Sequence, residues 1–219
     1  MSPAGRVHST RKHRHTRNWL FISIALIITV TFLTAIFFRY PVDNKASNDS
    51  NIAVNNNPAF AAFTTHYLAL MKSLNSTQTK AAMATQLNSN YNQTDLFAWQ
   101  KTKMVFAQDK TGWFEDPIQI LNSGDGICVQ WSVVYVSSCL SLGYPCRLVV
   151  AADATNWNFI HTWAEDYYKG SWVHVDPSDD VWNDPSHYSK WDWGKYIGTD
   201  VKIYAFEDGS FLDVTSTYS

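Results

Sequence analysis

The sequence is short of cysteine. Three thiols, Cys128, Cys139 and Cys146, serve 219 residues, and no two of them form a Cys-x-x-Cys pair. That excludes a disulfide-built scaffold and removes the paired motif of a structural zinc site. Glycine and proline are sparse as well, at 9 and 7 residues, which excludes collagen-like and low-complexity chains. No acidic residue occurs in the first 38 positions, where Arg6, Arg11, Lys12, Arg14 and Arg17 cluster. Beyond that tail it is positive charge that runs short: 12 of the 17 basic residues remain against all 19 acidic ones, a formal net charge of −7. A nucleic-acid partner needs a basic face, so none is expected. No internal repeat is present.

The first thing the sequence does supply is a long apolar run. Residues 19–38, "WLFISIALIITVTFLTAIFF", hold no charge, proline or glycine. At a helical rise of about 1.5 Å per residue they span roughly 30 Å, the hydrocarbon thickness of a bilayer. A transmembrane helix is expected there, with residues 1–18 as a basic cytoplasmic tail and the rest of the chain extracytoplasmic. A cleaved signal has a shorter apolar region, about 7 to 15 residues, and ends in small residues. This run leaves through "FFRYPVD", which favours an uncleaved signal anchor. His13 and His15 belong to the basic tail and read as membrane-facing rather than metal-binding. Residues 39–58 are polar and rich in Asn, the composition of a flexible linker. Sequons at Asn48, Asn75 and Asn92 are compatible with an outside location.

Residues 59–219 form the expected folded domain. Phe60, Phe63, Tyr67, Leu70 and Leu74 recur at three and four, an amphipathic helix pattern. "TQTKAAMATQLNSNY" and "TDLFAWQKTKMVFAQDK" also read as helices, the second with Thr94 or Asp95 as its cap. Later segments are short, rich in Val, Trp and Tyr, and separated by turn residues: "CRLVVAAD", "HTWAEDYY", "SWVHVDPS" and "VKIYAF". These read as strands. Helices followed by strands predict an α+β fold, with helices packed on an antiparallel sheet.

Between the halves lies "GICVQWSVVYVSSCLSLG", residues 126–143. Gly124, Asp125 and Gly126 supply a tight turn, and Gly143 with Pro145 supplies a helix stop. Cys128 then opens a helix, where unpaired N–H groups and the positive end of the helix dipole favour a thiolate and can hold an oxyanion. A buried, inert cysteine is the competing reading. His161 and Asp176 sit on two later strands, and antiparallel pairing brings such side chains together as a base and its orienting carboxylate. Cys139 follows Cys128 by eleven residues, roughly 16 Å along a helix, too far for a disulfide. Cys139 and Cys146 flank a short turn and are either a disulfide or two buried thiols. Trp157, Trp163, Trp172, Trp182, Trp191 and Trp193 are cleft-lining or core aromatics. Trp172, His174 and Asp176 share one strand face, with His174 a candidate support for the site.

The motifs "DPIQILNSGDGICVQW", "LGYPCRLV", "HTWAEDYYKGSWVHVDPSDD" and "HYSKWDWGKYIGTDVKIYAFEDGSFLDVTSTYS" together resemble the transglutaminase-like superfamily, with its papain-like core, and within it the peptide:N-glycanase branch. The resemblance covers roughly residues 95–219. It implies a Cys128, His161, Asp176 triad, a thioester intermediate and no cofactor. Protein, peptide or glycopeptide amides are the implied substrates, attacked by hydrolysis or transamidation, with Gln130, Trp131 and Trp163 the expected contacts. Glycanases typically show Cys-Gly-Glu-Trp where this chain has Cys128, Val129, Gln130 and Trp131, and they commonly carry paired zinc cysteines that this chain lacks. Two other functions fit parts of the pattern: a catalytically inactive binding module, and a zinc hydrolase using Cys128, His161, His174 or Asp176.

Overall fold

The computed structural model describes residues 57–107, 115–184, 187 and 200–218. The basic tail and the expected membrane helix lie outside the described residues, as does the linker except for its last two residues. Among those described, no helix is long and apolar enough to cross a membrane. Trp191 and Trp193 also lie outside them.

The folded unit opens slightly ahead of the expected boundary. Asn57 caps the first helix by accepting from the Ala59 N–H at 2.9 Å, and Pro58 takes the first helical position, where its missing donor costs nothing. That helix, α1 (Pro58–Leu74), is followed by α2 (Thr77–Ala84) and α3 (Gln93–Lys101). Both later helices are shorter than the sequence suggested. The cap of α3 is Asn92, with Asp95 returning a bond to it, rather than Thr94 or Asp95. The sequons at Asn75 and Asn92 both fall at helix ends and serve as caps. Met104 leads out of α3 into β1 (Val105–Phe106), which pairs in parallel with β2 (Asp125–Gly126). Between them α4 (Pro117–Ser123) is capped by Asp116 and ends at Gly124, whose φ of 71° provides the left-handed close of the helix.

The central helix, α5 (Cys128–Ser141), is buried from Cys128 through Cys139. Four valines make its intrinsic helix propensity poor. It is held as a helix by burial on all sides, each valine contributing about 1.5–3 kcal/mol on transfer from water. Its buried serine hydroxyls bond back along the helix, Ser138 to the Val134 carbonyl at 2.7 Å among them, so these hydroxyls do not need water.

Strands β3 (Cys146–Asp153), β4 (Phe159–Tyr168), β5 (Ser171–Asp176), β6 (Val181–Trp182), β7 (Val201–Glu207) and β8 (Ser210–Asp213) form one sheet in the order β6-β5-β4-β3-β7-β8. Every pairing in it is antiparallel. The helices pack on one face, against Leu148, Val150, Ala152, Ala164 and Phe206. The opposite face carries a second core of Val149, Ala151, Trp163, Ile203, Ala205, Val214 and Tyr218. All eight residues of β3 are buried, as expected for a central strand covered on both faces. The α+β expectation is met.

Candidate active site

The site forms where the start of α5 meets β4 and β5. Gly126 is there because nothing larger fits: a Cβ built on it would lie 2.5 Å from Cβ of Gln130. The close approach lets the chain turn in extended geometry at Ile127 and enter the helix at Cys128. Gln130 fixes this turn by accepting the Ile127 N–H on its Oε1 at 3.1 Å, and Trp131 donates its indole N–H to the Gly126 carbonyl at 3.2 Å. Cys128 is therefore the first residue of the helix, in the turn whose N–H groups have no intrahelical partner.

Ser132 ties this turn to the sheet. Its Oγ lies 2.8 Å from the Cys128 carbonyl and 3.0 Å from the Thr162 carbonyl, so one hydroxyl proton serves the backbone of both the cysteine and the residue next to His161. His161 Nε2 meets Asp176 Oδ2 at 2.6 Å, and the same ring is hydrogen-bonded to the Cys128 thiol. With Nε2 engaged by the carboxylate, Nδ1 is the ring nitrogen left to face sulfur. Burial opposes a charge on this imidazole. The Asp176 carboxylate and the Cys128 sulfur outweigh it and push the ring up to about 10 from its ordinary 6.5. Asp176 is fully buried, and its other oxygen, Oδ1, accepts from Ser178 Oγ at 2.6 Å, Ser178 N at 2.9 Å and Asp179 N at 3.2 Å. One carboxylate thus holds both the imidazole and the turn that follows its own strand.

The three expected substrate contacts do not open on a surface. Gln130 is 2% exposed and caps the nucleophile helix; Trp131 is 5% exposed and braces the Gly126 turn; Trp163 is wholly buried. The Trp163 ring lies 5.8 Å from that of His161 at an interplanar angle of 28°, stacked beside the imidazole. Each has a local partner: the Ile127 N–H for Gln130, the Gly126 carbonyl for Trp131 and the His161 ring for Trp163. His174 is buried on the same sheet face, and burial, with His187 adding to it, pushes the ring down to about 4 against Asp184 and Asp176.

Cys139 and Cys146 are free, buried thiols hydrogen-bonded to each other, and burial pushes both upward. Among the described residues, one group brings three metal-type donor atoms within 4.8 Å of one another: His161, Asp176 and Asp179. Both Asp176 oxygens are already held by protein donors, and Cys128 is not a member. The zinc set considered from the sequence is not assembled. Ser132 and Ser178 carry no sequence motif; their hydrogen bonds to the Cys128 carbonyl and to Asp176 Oδ1 mark them.

A sequence model of the Transglutaminase-like superfamily matches residues 75–177, the stretch that contains Cys128, His161 and Asp176. The chain is similar to a peptide-N(4)-(N-acetyl-beta-glucosaminyl)asparagine amidase of Oryza sativa subsp. japonica, 34% identical over 104 residues, which are 47% of this chain and 21% of the relative. It is also similar to the amidase of that name in Arabidopsis thaliana, 29% identical over 108 residues, 48% of this chain and 14% of the relative. The similarity therefore covers well under a third of these relatives' length. Among solved structures, a chain in the Rad4/XPC nucleotide excision repair complex shares the fold, with a TM-score of 0.56, 12% identity, and coverage of 74% of this chain and 48% of that one. A cysteine opening a buried helix, a histidine and an aspartate brought to it by adjacent antiparallel strands, and the match that spans all three make residues 75–177 a transglutaminase-like domain, similar in sequence to the peptide-N(4)-(N-acetyl-beta-glucosaminyl)asparagine amidases.

Proposed function

We propose that the chain is a cysteine amidase working through a thioester, with Cys128 as nucleophile, His161 as base and acid, and Asp176 as the group that orients the ring. The observation that carries this reading is the single imidazole bonded to both the Cys128 thiol and Asp176 Oδ2, the latter at 2.6 Å. Nδ1 holds the proton taken from the thiol, and the Cys128 thiolate forms a bond to an amide carbonyl carbon. The first-turn N–H groups of α5 receive the oxyanion. The C–N bond breaks as the imidazolium gives its proton to the departing nitrogen, leaving an acyl group on Cys128. Water then attacks the thioester, loses a proton to His161, and releases a carboxylic acid and the free thiol; an amine in place of water gives transamidation. The similarity to peptide-N(4)-(N-acetyl-beta-glucosaminyl)asparagine amidases supports a glycosylated asparagine in a peptide as the first substrate to try. The apolar run at 19–38 supports a membrane-anchored enzyme with its basic tail cytoplasmic and its catalytic domain outside.

The test is a panel of full-length chain incubations with an N-glycosylated peptide, its unglycosylated counterpart and a glutamine peptide with an amine acceptor, read by mass spectrometry. Conversion of the glycosylated asparagine to aspartate, lost in Cys128→Ala, is the expected result. Turnover that survives Cys128→Ala, or no turnover of any amide, refutes the reading, the latter in favour of a binding module.

A further inference from the structure

Behind His161 runs a chain of buried polar groups that the reaction above does not use. Trp163, wholly buried, stacks beside the His161 ring and must place its indole N–H on some acceptor. That acceptor is Tyr218 Oη at 3.1 Å, with the two rings edge to face at 4.9 Å and 77°. Tyr218 in turn donates its hydroxyl proton to Glu165 Oε1. Glu165 Oε2 takes Arg147 Nε at 2.5 Å, and Arg147 also binds Glu207 Oε1 at 2.9 Å while lying 4.1 Å over the Trp172 ring. These groups share the sheet face away from the helices. Arg147 and Glu165 are direct cross-strand partners, and Glu165 is opposite His174 on the other side. Tyr218 comes from outside the sheet, after the 3-10 turn Thr215–Thr217, and is 4% exposed.

We propose that Tyr218 is a positioning residue for the Cys128 and His161 pair: its hydroxyl couples the indole of Trp163 to the Glu165–Arg147 ion pair, and so fixes the wall against which the imidazole is held. The inference rests on the nucleophile reading given above. Without the hydroxyl, the indole N–H and Glu165 Oε1 both lose a buried partner, and the tryptophan must shift to satisfy itself. An imidazolium beside an indole face gains cation–π attraction, so the wall matters most in the charged form of the ring. Among the described residues, the charged and titratable groups around Tyr218 and Trp163 are Glu165 and His161 on β4, Arg147 on β3, His174 and Asp176 on β5, and Glu207 on β7. Of these, Tyr218 bonds to Glu165, and its hydroxyl reaches the His161 ring through Trp163.

The test is the rate at which iodoacetamide modifies Cys128 in the full-length chain, followed by mass spectrometry from pH 5 to pH 11, for wild type, Tyr218→Phe, Trp163→Phe and the double variant. Tyr218→Phe keeps the ring and removes only the hydroxyl. It should slow the reaction about tenfold near neutral pH, the size of a desolvated cation–π contact. The deficit should close above about pH 10, where an ordinary thiol ionises without help from histidine. Trp163→Phe should show the same pH-confined deficit, and the double variant should be no slower than either single one. A Tyr218→Phe profile that overlays wild type, a deficit equal at every pH, or additive effects in the double variant overturns the inference. A wild-type Cys128 with no reactivity beyond an ordinary thiol overturns instead the nucleophile reading beneath it.

Discussion

Replacing Asp176 by asparagine isolates the contribution of one negative charge, because the side chain keeps its shape. The amide oxygen can go on accepting from Ser178 and Asp179, as Oδ1 does now at 2.6 to 3.2 Å. The amide NH2 then points at His161 Nε2, which must become an acceptor. The ring proton moves to Nδ1, the nitrogen that faces sulfur, and a ring carrying that proton cannot take another from the thiol. The energy at stake follows from the ring's position at about 10 against the ordinary 6.5. That difference is worth about 5 kcal/mol in all. The Cys128 sulfur supplies part of it and survives the change, leaving a loss of about 3–4 kcal/mol, or two to three decades of rate. Hydrolysis should fall by that factor. Cys128 alkylation should slow at neutral pH and recover at alkaline pH. A second signature is in stability. A histidine raised from 6.5 to about 10 on folding contributes stability that is fully present below 6.5 and lost as pH rises through about 10. Wild-type urea midpoints should therefore drop across that window, and Asp176→Asn should flatten the drop. An Asp176→Asn protein that hydrolyses and alkylates at wild-type rates would refute the assignment of its carboxylate to the ring.

Two further changes probe the scaffold. Asp166 is fully buried against Gln93 Nε2 at 2.9 Å and the Tyr135 hydroxyl at 2.8 Å, and burial pushes its carboxyl from 3.8 up to about 6. The stability it lends is present below 3.8 and lost as pH rises through about 6, up to about 3 kcal/mol; His174, pushed from 6.5 down to about 4, acts in the opposite sense over the same window. Asp166→Asn should raise the urea midpoint at pH 7 and, with the His174 slope no longer opposed by Asp166, lose stability more steeply on acidification than wild type. Gly126→Ala places its Cβ 2.5 Å from Cβ of Gln130 and should cost about 1–3 kcal/mol of unfolding free energy while slowing Cys128 alkylation; unchanged stability would mean that the turn accommodates a side chain.

Much of the sheet was legible because its signals are local. β3 begins and ends where "CRLVVAAD" does, and β4, β5 and β7 differ from the expected segments by one or two residues at their ends. The nucleophile helix was legible from its ends rather than its middle, since Gly124, Gly126 and Gly143 punctuate a valine-rich run that propensity alone disfavours as helix. α4 could have been read from Asp116 and Pro117, a cap followed by a first-turn proline. The two-residue pair of β1 and β2 offered no period to detect. The burial of Gln130, Trp131 and Trp163 has a shared cause. A side chain beside a reactive residue in sequence can serve its backbone instead of its substrate, and the partners that decide this, such as Tyr218, 55 positions from Trp163, carry no mark of the pairing.

The central claim is that one of three buried cysteines is activated. Site-resolved iodoacetamide labelling of the native full-length chain near neutral pH tests it most directly. Cys128 should react first and faster than thiols of the urea-unfolded chain, Cys139 and Cys146 should stay unmodified until unfolding, and His161→Ala should abolish the preference. Cys128 reacting no faster in the native chain than in the unfolded one would contradict the account.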